Sequence, residues 1–285
     1  MQPEMFKTIV RAMVPRAVRN SLRSPSKLVE WLWDSARFSL GTTKTLGVLP
    51  NWSVVCHPEA YRVVYQAQVS DPAQRDEFLS FAAHCSDRMF LFDIGAHFGI
   101  FSLAAAHFGG RAVAVDASPT ATRMIEIQNR VNGLESKVRV IRAAVSDAGG
   151  VMEMLSSGVF SYGYFKVAGG RSKSELTRVK AVTIDEMADK FGGPTHIKVD
   201  VEGHELAVLR GARATLSHSS PVLFLELHNE MVISEGRNPG DVLDELAHLG
   251  YAMFGLDGQL VSRDAVLERP ISRIVAKTCH SSTPI

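Results

Sequence analysis

A turn that contains glycine and begins with an acidic residue follows the first strongly apolar segment of the chain. Apolar residues 89–94 lead into the sequence D-I-G-A-H-F-G at residues 93–99, and a helical pattern begins directly afterwards. Glycine in such a turn lets the backbone approach a ligand and lets the helix pack tightly. A pyrophosphate prefers bare N–H groups at a helix N-terminus to a carboxylate. Asp93 therefore favours S-adenosylmethionine, which has no phosphate and carries an ammonium group; the alternative is a tight turn without a ligand.

A second acidic residue ends the next apolar segment. Asp116 closes residues 112–115 and lies 23 positions after Asp93. An acid about 20 residues beyond a glycine loop commonly accepts both ribose hydroxyls of a nucleoside cofactor, although an exposed loop aspartate is the plain alternative. By position, the segment that ends at Val145 should pass near the adenine. The predicted cofactor-binding residues are Asp93, Gly95, Ala96, His97, Gly99, Asp116, Ala117 and Val145.

Two further clusters of acids and imidazoles end later apolar segments. Residues 196–205 read H-I-K-V-D-V-E-G-H-E, and residues 225–228 read L-E-L-H. Such groups are costly to bury unless they are paired or used. A general base must lie within hydrogen-bond reach of the proton it removes. Asp200 is the first candidate for that role. The full catalytic set is Asp200, His228, His204 and Glu226.

The same acids permit two other interpretations. Glu202 and Glu205 precede a helical pattern, where carboxylates often only interact with the helix dipole. Asp200, Glu202 and Glu226 are the residues that would hold a divalent metal, and carboxylate-only sites favour magnesium or calcium. A metal is possible but is not the favoured interpretation, because the sequence does not show that three ligands converge.

Alternating strands and helices must position these residues. Apolar strands separated by helices of 10–15 residues indicate βαβ units and a mostly parallel sheet covered on both faces. Ser118 and Pro119 are typical of a helix N-cap followed by its first residue. Ligands of such sheets bind beyond the carboxyl ends of the strands, so the acids should share one edge. Strands are predicted at 89–94, 112–115, 138–141 continuing into 143–145, 195–199, 222–227, 251–256 and 271–277, with a helix over 203–217 and a hairpin excursion at 151–182.

The first 50 residues differ from the rest in charge. They hold eight Lys or Arg against three acids, and apolar residues fall on one helical face. We expect a basic amphipathic helical arm over residues 1–50 and a Rossmann-like domain over residues 51–285. The arm either packs against its own domain or a sister subunit, or makes peripheral contact with an anionic membrane through residues 1–40.

Composition limits the classes of protein that remain. The chain has 285 residues, 46% of them hydrophobic, and a formal net charge of +1. A dedicated nucleic-acid binder should be clearly basic, so nucleic acid is not an expected partner. The three scattered cysteines favour a reducing cytoplasm over a disulfide framework. The sequence shows neither a secretory signal nor an apolar run of membrane-spanning length, so we expect a soluble cytoplasmic protein.

Four motifs between residues 88 and 230 occur in a distinctive order: D-I-G-A-H-F-G, V-D-A-S-P, I-K-V-D-V-E-G-H-E-L-A-V-L-R-G-A and L-E-L-H. This succession resembles the FkbM family of S-adenosylmethionine-dependent methyltransferases. The resemblance implies an α/β class I methyltransferase fold with a seven-stranded, mostly parallel sheet, helices on both faces and an antiparallel last strand. It also implies O-methylation of a hydroxyl. Phe98 replaces a smaller aliphatic residue and His204 replaces the common alanine.

The predicted function is transfer of a methyl group from S-adenosylmethionine to a hydroxyl of a sugar, glycan, glycolipid or natural product. An NAD-dependent oxidoreductase is one alternative, but the chain lacks G-x-G-x-x-G and carries Asp93. A catalytically inactive scaffold of methyltransferase type is the other alternative. The sequence leaves the acceptor and the oligomeric state open.

Overall fold

The computed structural model describes residues 43–49, 52–156, 165–167 and 176–278. The helices proposed within residues 1–40 therefore lie outside the described residues. No helix in the described ranges has the length and apolar character to cross a membrane. The strands are β1 Lys44–Leu49, β2 Trp52–Cys56, β3 Phe90–Ile94, β4 Arg111–Asp116, β5 Val138–Arg142, β6 Ala144–Val145, β7 Gly150–Ser156, β8 Phe165–Val167, β9 Leu176–Val182, β10 His196–Val199, β11 Val222–Leu227, β12 Tyr251–Phe254 and β13 Ser272–Thr278.

Helices alternate with these strands. The first, α1, consists of Pro58–Ala60, a π-helical stretch Tyr61–Tyr65 and Gln66–Ser70. The others are α2 Pro72–Ala82, α3 Ile100–His107, α4 Pro119–Val131, α5 Ile184–Phe191, α6 Glu205–Arg210, α7 Arg213–Ser219, α8 Asn229–Ser234, α9 Gly240–His248 and α10 Arg263–Leu267. The predicted start of α4 is confirmed, because the Ser118 hydroxyl accepts a hydrogen bond from Ala121 N at 3.2 Å and Pro119 is the first helical residue.

The main sheet of the described residues has seven strands in the order β12-β13-β11-β10-β3-β4-β5. Strands β11, β10, β3, β4 and β5 are parallel, and β13 runs antiparallel to both β11 and β12. All five residues of β3 are buried, as expected for a central strand covered on both faces. One core cluster includes Leu103 and Ile125 of α3 and α4, and another includes Met187 and Leu246 of α5 and α9. The predicted α/β class I methyltransferase fold is confirmed.

Three details differ from the sequence-based expectations. Lys44–Leu49 pairs with Trp52–Cys56 in an antiparallel hairpin, so this part of the expected helical arm is a strand. Residues 144–145 do not extend β5 but begin a second sheet, ordered β6-β9-β7-β8, which includes the hairpin predicted at 151–182. The single helix expected over 203–217 is two helices, α6 and α7. Gly211 lies between them, where an added Cβ would be 2.1 Å from the Ser146 carbonyl oxygen, so the backbones approach closely at this break.

Candidate functional site

The carboxyl ends of β3, β4, β10 and β11 surround a cavity of about 460 Å³. This volume lies within the range of small-molecule sites. The cavity brings the predicted residues together across four strands. Its lining includes the whole predicted cofactor set (Asp93, Gly95, Ala96, His97, Gly99, Asp116, Ala117, Val145), the whole predicted catalytic set (Asp200, His228, His204, Glu226) and Glu202.

The N–H groups of the glycine loop are bound within the protein. Gly95 N and Ala96 N donate to the Val115 carbonyl oxygen at 2.9 and 3.0 Å, and Gly99 N donates to the Ala96 carbonyl oxygen at 2.7 Å. A phosphate-binding loop instead leaves such groups directed at the ligand. The loop therefore fits a ligand without a pyrophosphate.

Glycine is required at position 95 because the backbone after the neighbouring strand leaves no room for a side chain. The φ angle of Gly95 is +75°, and an added Cβ would lie 1.8 Å from the carbonyl oxygen of Asp200. In addition, Asp200 N donates to the Ile94 carbonyl oxygen at 3.0 Å. The glycine therefore lets the loop after β3 lie directly against the residue that follows β10.

Asp116 is fixed by backbone donors at the end of β4. His97 N donates to its Oδ2 at 2.8 Å, and Ser118 N donates to its Oδ1 at 2.7 Å. Burial raises the pKa of Asp116 to about 7, although these two donors act in the opposite direction and lower it. The side chain thus presents a rigid carboxyl group at the cavity wall.

Asp93 has a structural partner as well as a place in the cavity wall. Helix α3 has Gly99 as its N-cap and so lacks a capping side chain. Asp93 Oδ2 supplies the missing acceptor, bonding Ser102 N at 3.1 Å and the Ser102 hydroxyl at 2.6 Å. Burial raises the pKa of Asp93, and the Ser102 hydroxyl lowers it in part. Asp93 therefore acts as the capping side chain of α3, although it lies on β3 and not at the N-cap position.

Helix α1 secures the glycine loop from outside the motif. The buried Tyr65 hydroxyl donates to the Phe98 carbonyl oxygen at 2.7 Å. Phe98 is itself buried, and its ring stacks on that of His97 with centroids 4.3 Å apart. The large residue that departs from the family pattern thus fills space beneath the loop.

His228 is oriented by a buried carboxylate. Its Nδ1 lies 2.9 Å from Glu205 Oε1, and the same oxygen accepts Gly203 N at 2.9 Å. The other ring nitrogen, Nε2, lies 3.8 Å from Asp200 Oδ1. Burial alone would lower the pKa of His228, but the Glu205 hydrogen bond and the surrounding carboxylates outweigh it and raise the pKa. A carboxylate on Nδ1 leaves Nε2 free to accept a proton.

One group in the described ranges has the composition of a cation site. Ligand atoms of Asp200, Glu226 and His228 all lie within 4.8 Å of one another. This set differs from the predicted one, because His228 takes the place of Glu202. The chain turns sharply at Glu202, whose φ is +49°, and Glu202 is not a member of the group.

A buried lysine and an arginine also contact this group. Lys198 Nζ lies 3.7 Å from Glu226 Oε2 and 3.8 Å from Asp200 Oδ2. Arg273 Nη2 donates to Glu226 Oε1 at 2.5 Å. Glu77 joins both cations, with Oε1 at 3.0 Å from Lys198 Nζ and Oε2 at 3.0 Å from Arg273 Nε. The acids are therefore already paired with positive charge.

His204 is held elsewhere on the cavity wall. Its Nε2 lies 2.9 Å from the Ser146 hydroxyl, at the end of β6. Burial lowers the pKa of His204, and the positive charge of Arg237 lowers it further. His204 does not belong to the Asp200, Glu226 and His228 group.

Residues 93–253 match the family described as the methyltransferase FkbM domain. The chain belongs to the FkbM methyltransferase family. The matched range contains the cavity residues from Asp93 to His228 and covers more than half of the chain. An FkbM methyltransferase domain over this range favours a methyltransferase over the oxidoreductase alternative.

Solved structures of FkbM and other methyltransferases are similar to the chain at low identity. An FkbM methyltransferase from Methylobacillus flagellatus KT is 18% identical with a TM-score of 0.45, over 67% of this chain and 44% of that one. A precorrin-6y C5,15-methyltransferase from Geobacter metallireducens is 13% identical with a TM-score of 0.42, over 72% and 87% of the two chains. The chain spans less than half the length of the Methylobacillus protein. No curated protein matches the chain.

The FkbM motifs do not indicate several residues that complete the site. Glu77, Tyr65 and Arg273 lie outside the matched range, and nothing in their local sequence marks them. Lys198 gives a clearer signal, because a charged residue within a buried strand needs a partner. The sequence indicates Glu205 only as an acid at a helix start, whereas in the fold it is the partner of His228.

Proposed function

We propose that the chain transfers the methyl group of S-adenosylmethionine to a hydroxyl of a sugar, glycan, glycolipid or natural product. The observation that carries this proposal is the Glu205-bound imidazole of His228, placed beside Asp200 in the cavity that also holds Asp93 and Asp116. A hydroxyl is a very weak acid, so its methylation needs a proton acceptor near the methyl donor.

The residues around the glycine loop fit S-adenosylmethionine. The Gly95 and Ala96 amides donate to Val115 of β4 rather than to the cavity, so the loop suits a cofactor without phosphate. Asp116 supports binding of the ribose hydroxyls, because its fixed carboxyl group can accept hydrogen bonds. The buried side chains of Ala117 and Val145 offer an apolar wall for the adenine. Asp93 supplies negative charge for the ammonium of the methionine moiety.

The residues at β10 and β11 perform the acid–base work. When bound, S-adenosylmethionine supplies a methyl group on a positively charged sulfonium. His228 Nε2 receives the proton of the acceptor hydroxyl, and Glu205 holds the ring and stabilises the resulting imidazolium. Asp200 is 36% exposed and lies beside Nε2, so it contacts the acceptor and orients its hydroxyl. Glu226 is held by Arg273, which makes it a less available base.

Other polar groups that line the cavity suit a polyhydroxylated acceptor. Gln68 and Gln74 line it from α1 and α2, and Arg237 lines it from the loop after α8. Amide groups both donate and accept hydrogen bonds, as hydroxyls do. Met152 and Met154 add an apolar surface from the second sheet. These residues support an acceptor that combines hydroxyl groups with an apolar portion.

The test adds the protein, together with S-adenosylmethionine that carries a labelled methyl group, to extracts of cells that lack the protein. The incorporation of label into each fraction of the extract is then measured. We expect label in the glycan or lipid fraction, and the product should be heavier by one methylene unit for each methyl transferred. Asp200→Asn and His228→Ala should abolish incorporation while binding S-adenosylhomocysteine like the unaltered protein. His248→Ala, at the exposed end of α9, is the matched control and should retain activity.

The outcomes separate the alternatives. Cofactor binding without incorporation into any fraction would favour an inactive scaffold. Label in protein or nucleic acid would contradict the proposed acceptor. Full activity of Asp200→Asn would remove that residue from the mechanism.

The basic arm supports a second, separate proposal of peripheral membrane contact from the cytoplasmic side. It rests on the charge and apolar stripe of residues 1–40, which lie outside the described residues. Flotation with anionic liposomes should require those residues. Equal flotation of the full chain and of a chain lacking residues 1–40 would contradict it.

A further inference from the structure

Three carboxylates from different parts of the fold converge on the ammonium of Lys198. Glu77 from α2 lies at 3.0 Å, Glu226 from β11 at 3.7 Å and Asp200 after β10 at 3.8 Å. Such a cluster of oxygens, with His228 beside it, has the composition of a site for a hard divalent cation. In this protein the ammonium of Lys198 occupies the position among the three carboxylates where such a cation would bind.

The position of Lys198 is fixed by the strand that carries it. Its side chain is only 2% exposed, and on β10 it lies between Asp93 of β3 and Phe224 of β11 in the sheet register. The ammonium also lies 5.2 Å from the centroid of the Phe101 ring. A lysine enclosed in this way cannot turn its charge away to admit another cation. Burial alone would lower the pKa of Lys198, but the three carboxylates outweigh it and raise the pKa, so the ammonium stays charged.

Arg273 adds a second positive charge to this cluster. On β13 it is the cross-strand partner of Glu226, and its guanidinium bridges Glu226 Oε1 and Glu77 Oε2 at 2.5 and 3.0 Å. Three carboxylates thus face two permanent positive charges. A divalent cation on the oxygens of Asp200 and Glu226 would lie beside an ammonium that repels it.

We propose that Lys198 is a built-in counter-charge that takes the electrostatic place of a divalent cation, so that the Asp200, Glu226 and His228 group works without a metal. The proposal deepens the proposed function, since the counter-charge holds Asp200 and Glu226 in place beside the reacting hydroxyl. Its main consequence, the exclusion of divalent cations by Lys198, holds whether or not the acceptor is a hydroxyl.

The test is titration with Mn²⁺, followed by electron paramagnetic resonance, of the full chain and of Lys198→Met. We expect the unaltered protein to show no stoichiometric site. Lys198→Met should bind one Mn²⁺ per chain, about tenfold or more tightly than the unaltered protein, because the carboxylates lose their counter-charge. Adding Asp200→Asn to Lys198→Met should remove the new site. Lys137→Met is the matched control, because Lys137 Nζ donates to a carbonyl oxygen, that of Ala106 at 3.1 Å, rather than to a carboxylate.

Two results would overturn the proposal. One is a stoichiometric Mn²⁺ site in the unaltered protein that Asp200→Asn abolishes. The other is a folded Lys198→Met that binds Mn²⁺ no better than the Lys137→Met control. Where Lys198→Met alone fails to fold, Lys198→Met with Glu77→Gln removes one negative and one positive charge together, and the same Mn²⁺ binding is expected of it. If both variants fail to fold, the titration of the unaltered protein decides.

A measurement of methyl transfer tests the proposal separately from the Mn²⁺ titrations. Methyl transfer by the unaltered protein should proceed at the same rate in a chelator and in excess Mg²⁺, and its loss in the chelator would contradict the proposal. A protein that transfers no methyl group to a hydroxyl would refute the proposed function, while the Mn²⁺ titrations would still test the counter-charge.

Discussion

The Cα atom of Gly95 faces the carbonyl oxygen of Asp200 so closely that an added Cβ would lie 1.8 Å from it. This contact joins the end of β3 to the end of β10 and sets the distance between the glycine loop and the Asp200, Glu226 and His228 group. The glycine that the sequence presents as a ligand-binding feature is therefore also a packing requirement between two strand ends.

Replacing Gly95 tests that packing requirement. Gly95→Ala adds a clash with backbone to a left-handed conformation, so it should lower the free energy of unfolding by more than the roughly 1–3 kcal/mol of backbone strain alone. Gly133→Ala is the control, since its φ is +67° and an added Cβ would meet nothing within 4 Å. Urea denaturation of both variants gives the difference. Equal losses would show that the Gly95 contact relaxes without cost.

Glu205 should control both the rate and the pH dependence of methyl transfer. His228 must be neutral to accept a proton, so the rate should rise with pH through its pKa, which Glu205 raises. Glu205→Gln should therefore move the acid limb of the kcat profile to lower pH and reduce kcat by roughly 10²–10⁴-fold.

Two controls accompany this profile. Glu205→Asp keeps the charge and should restore part of the rate. Glu230→Gln, on the exposed surface of α8, should leave the profile unchanged. A profile for Glu205→Gln with the original acid limb and full rate would exclude Glu205 as the positioning residue of His228.

Cofactor affinity should depend on the protonation of Asp116. Its pKa is about 7 in the fold without cofactor. Ribose hydroxyls that donate to the carboxylate would favour the ionised form, so binding should lower this pKa. Affinity should then fall as the pH drops below about 7 and level off above it. Calorimetry with S-adenosylhomocysteine between about pH 5.5 and 8.5, roughly 1.5 units either side of that pKa, measures this. Asp116→Asn should bind more weakly and lose the dependence; the same pH slope in both proteins would assign it to another group.

Tyr65 should stabilise the cofactor loop as well as the fold. Tyr65→Phe removes the hydrogen bond to the Phe98 carbonyl oxygen and should cost about 1 kcal/mol of unfolding free energy. It should also weaken S-adenosylhomocysteine binding. Tyr251→Phe is the matched control, because that hydroxyl donates to the Pro221 carbonyl oxygen at 3.0 Å, away from the cavity. Loss of stability without loss of affinity in Tyr65→Phe would make its role purely structural.

Local patterns in the sequence are sufficient to predict the main sheet and the acids at its strand ends. Apolar strands alternate with helices, and parallel strands necessarily bring their carboxyl ends to one edge. A parallel sheet therefore places Asp93, Asp116, Asp200 and Glu226 at one edge, where all four line the cavity. The start of α4 at Ser118 and Pro119 was equally local, since capping involves only neighbouring residues.

Only the tertiary structure decided which of these groups pair and what charge surrounds them. Arg273 and Glu77 are 196 positions apart, and they meet because β13 pairs antiparallel with β11 while α2 packs near the same edge. The same holds for Glu205 at the start of α6, whose side chain contacts His228 after β11. A sequence shows which residue types are present, but hydrogen bonds and ion pairs depend on distances of a few ångströms that packing alone sets.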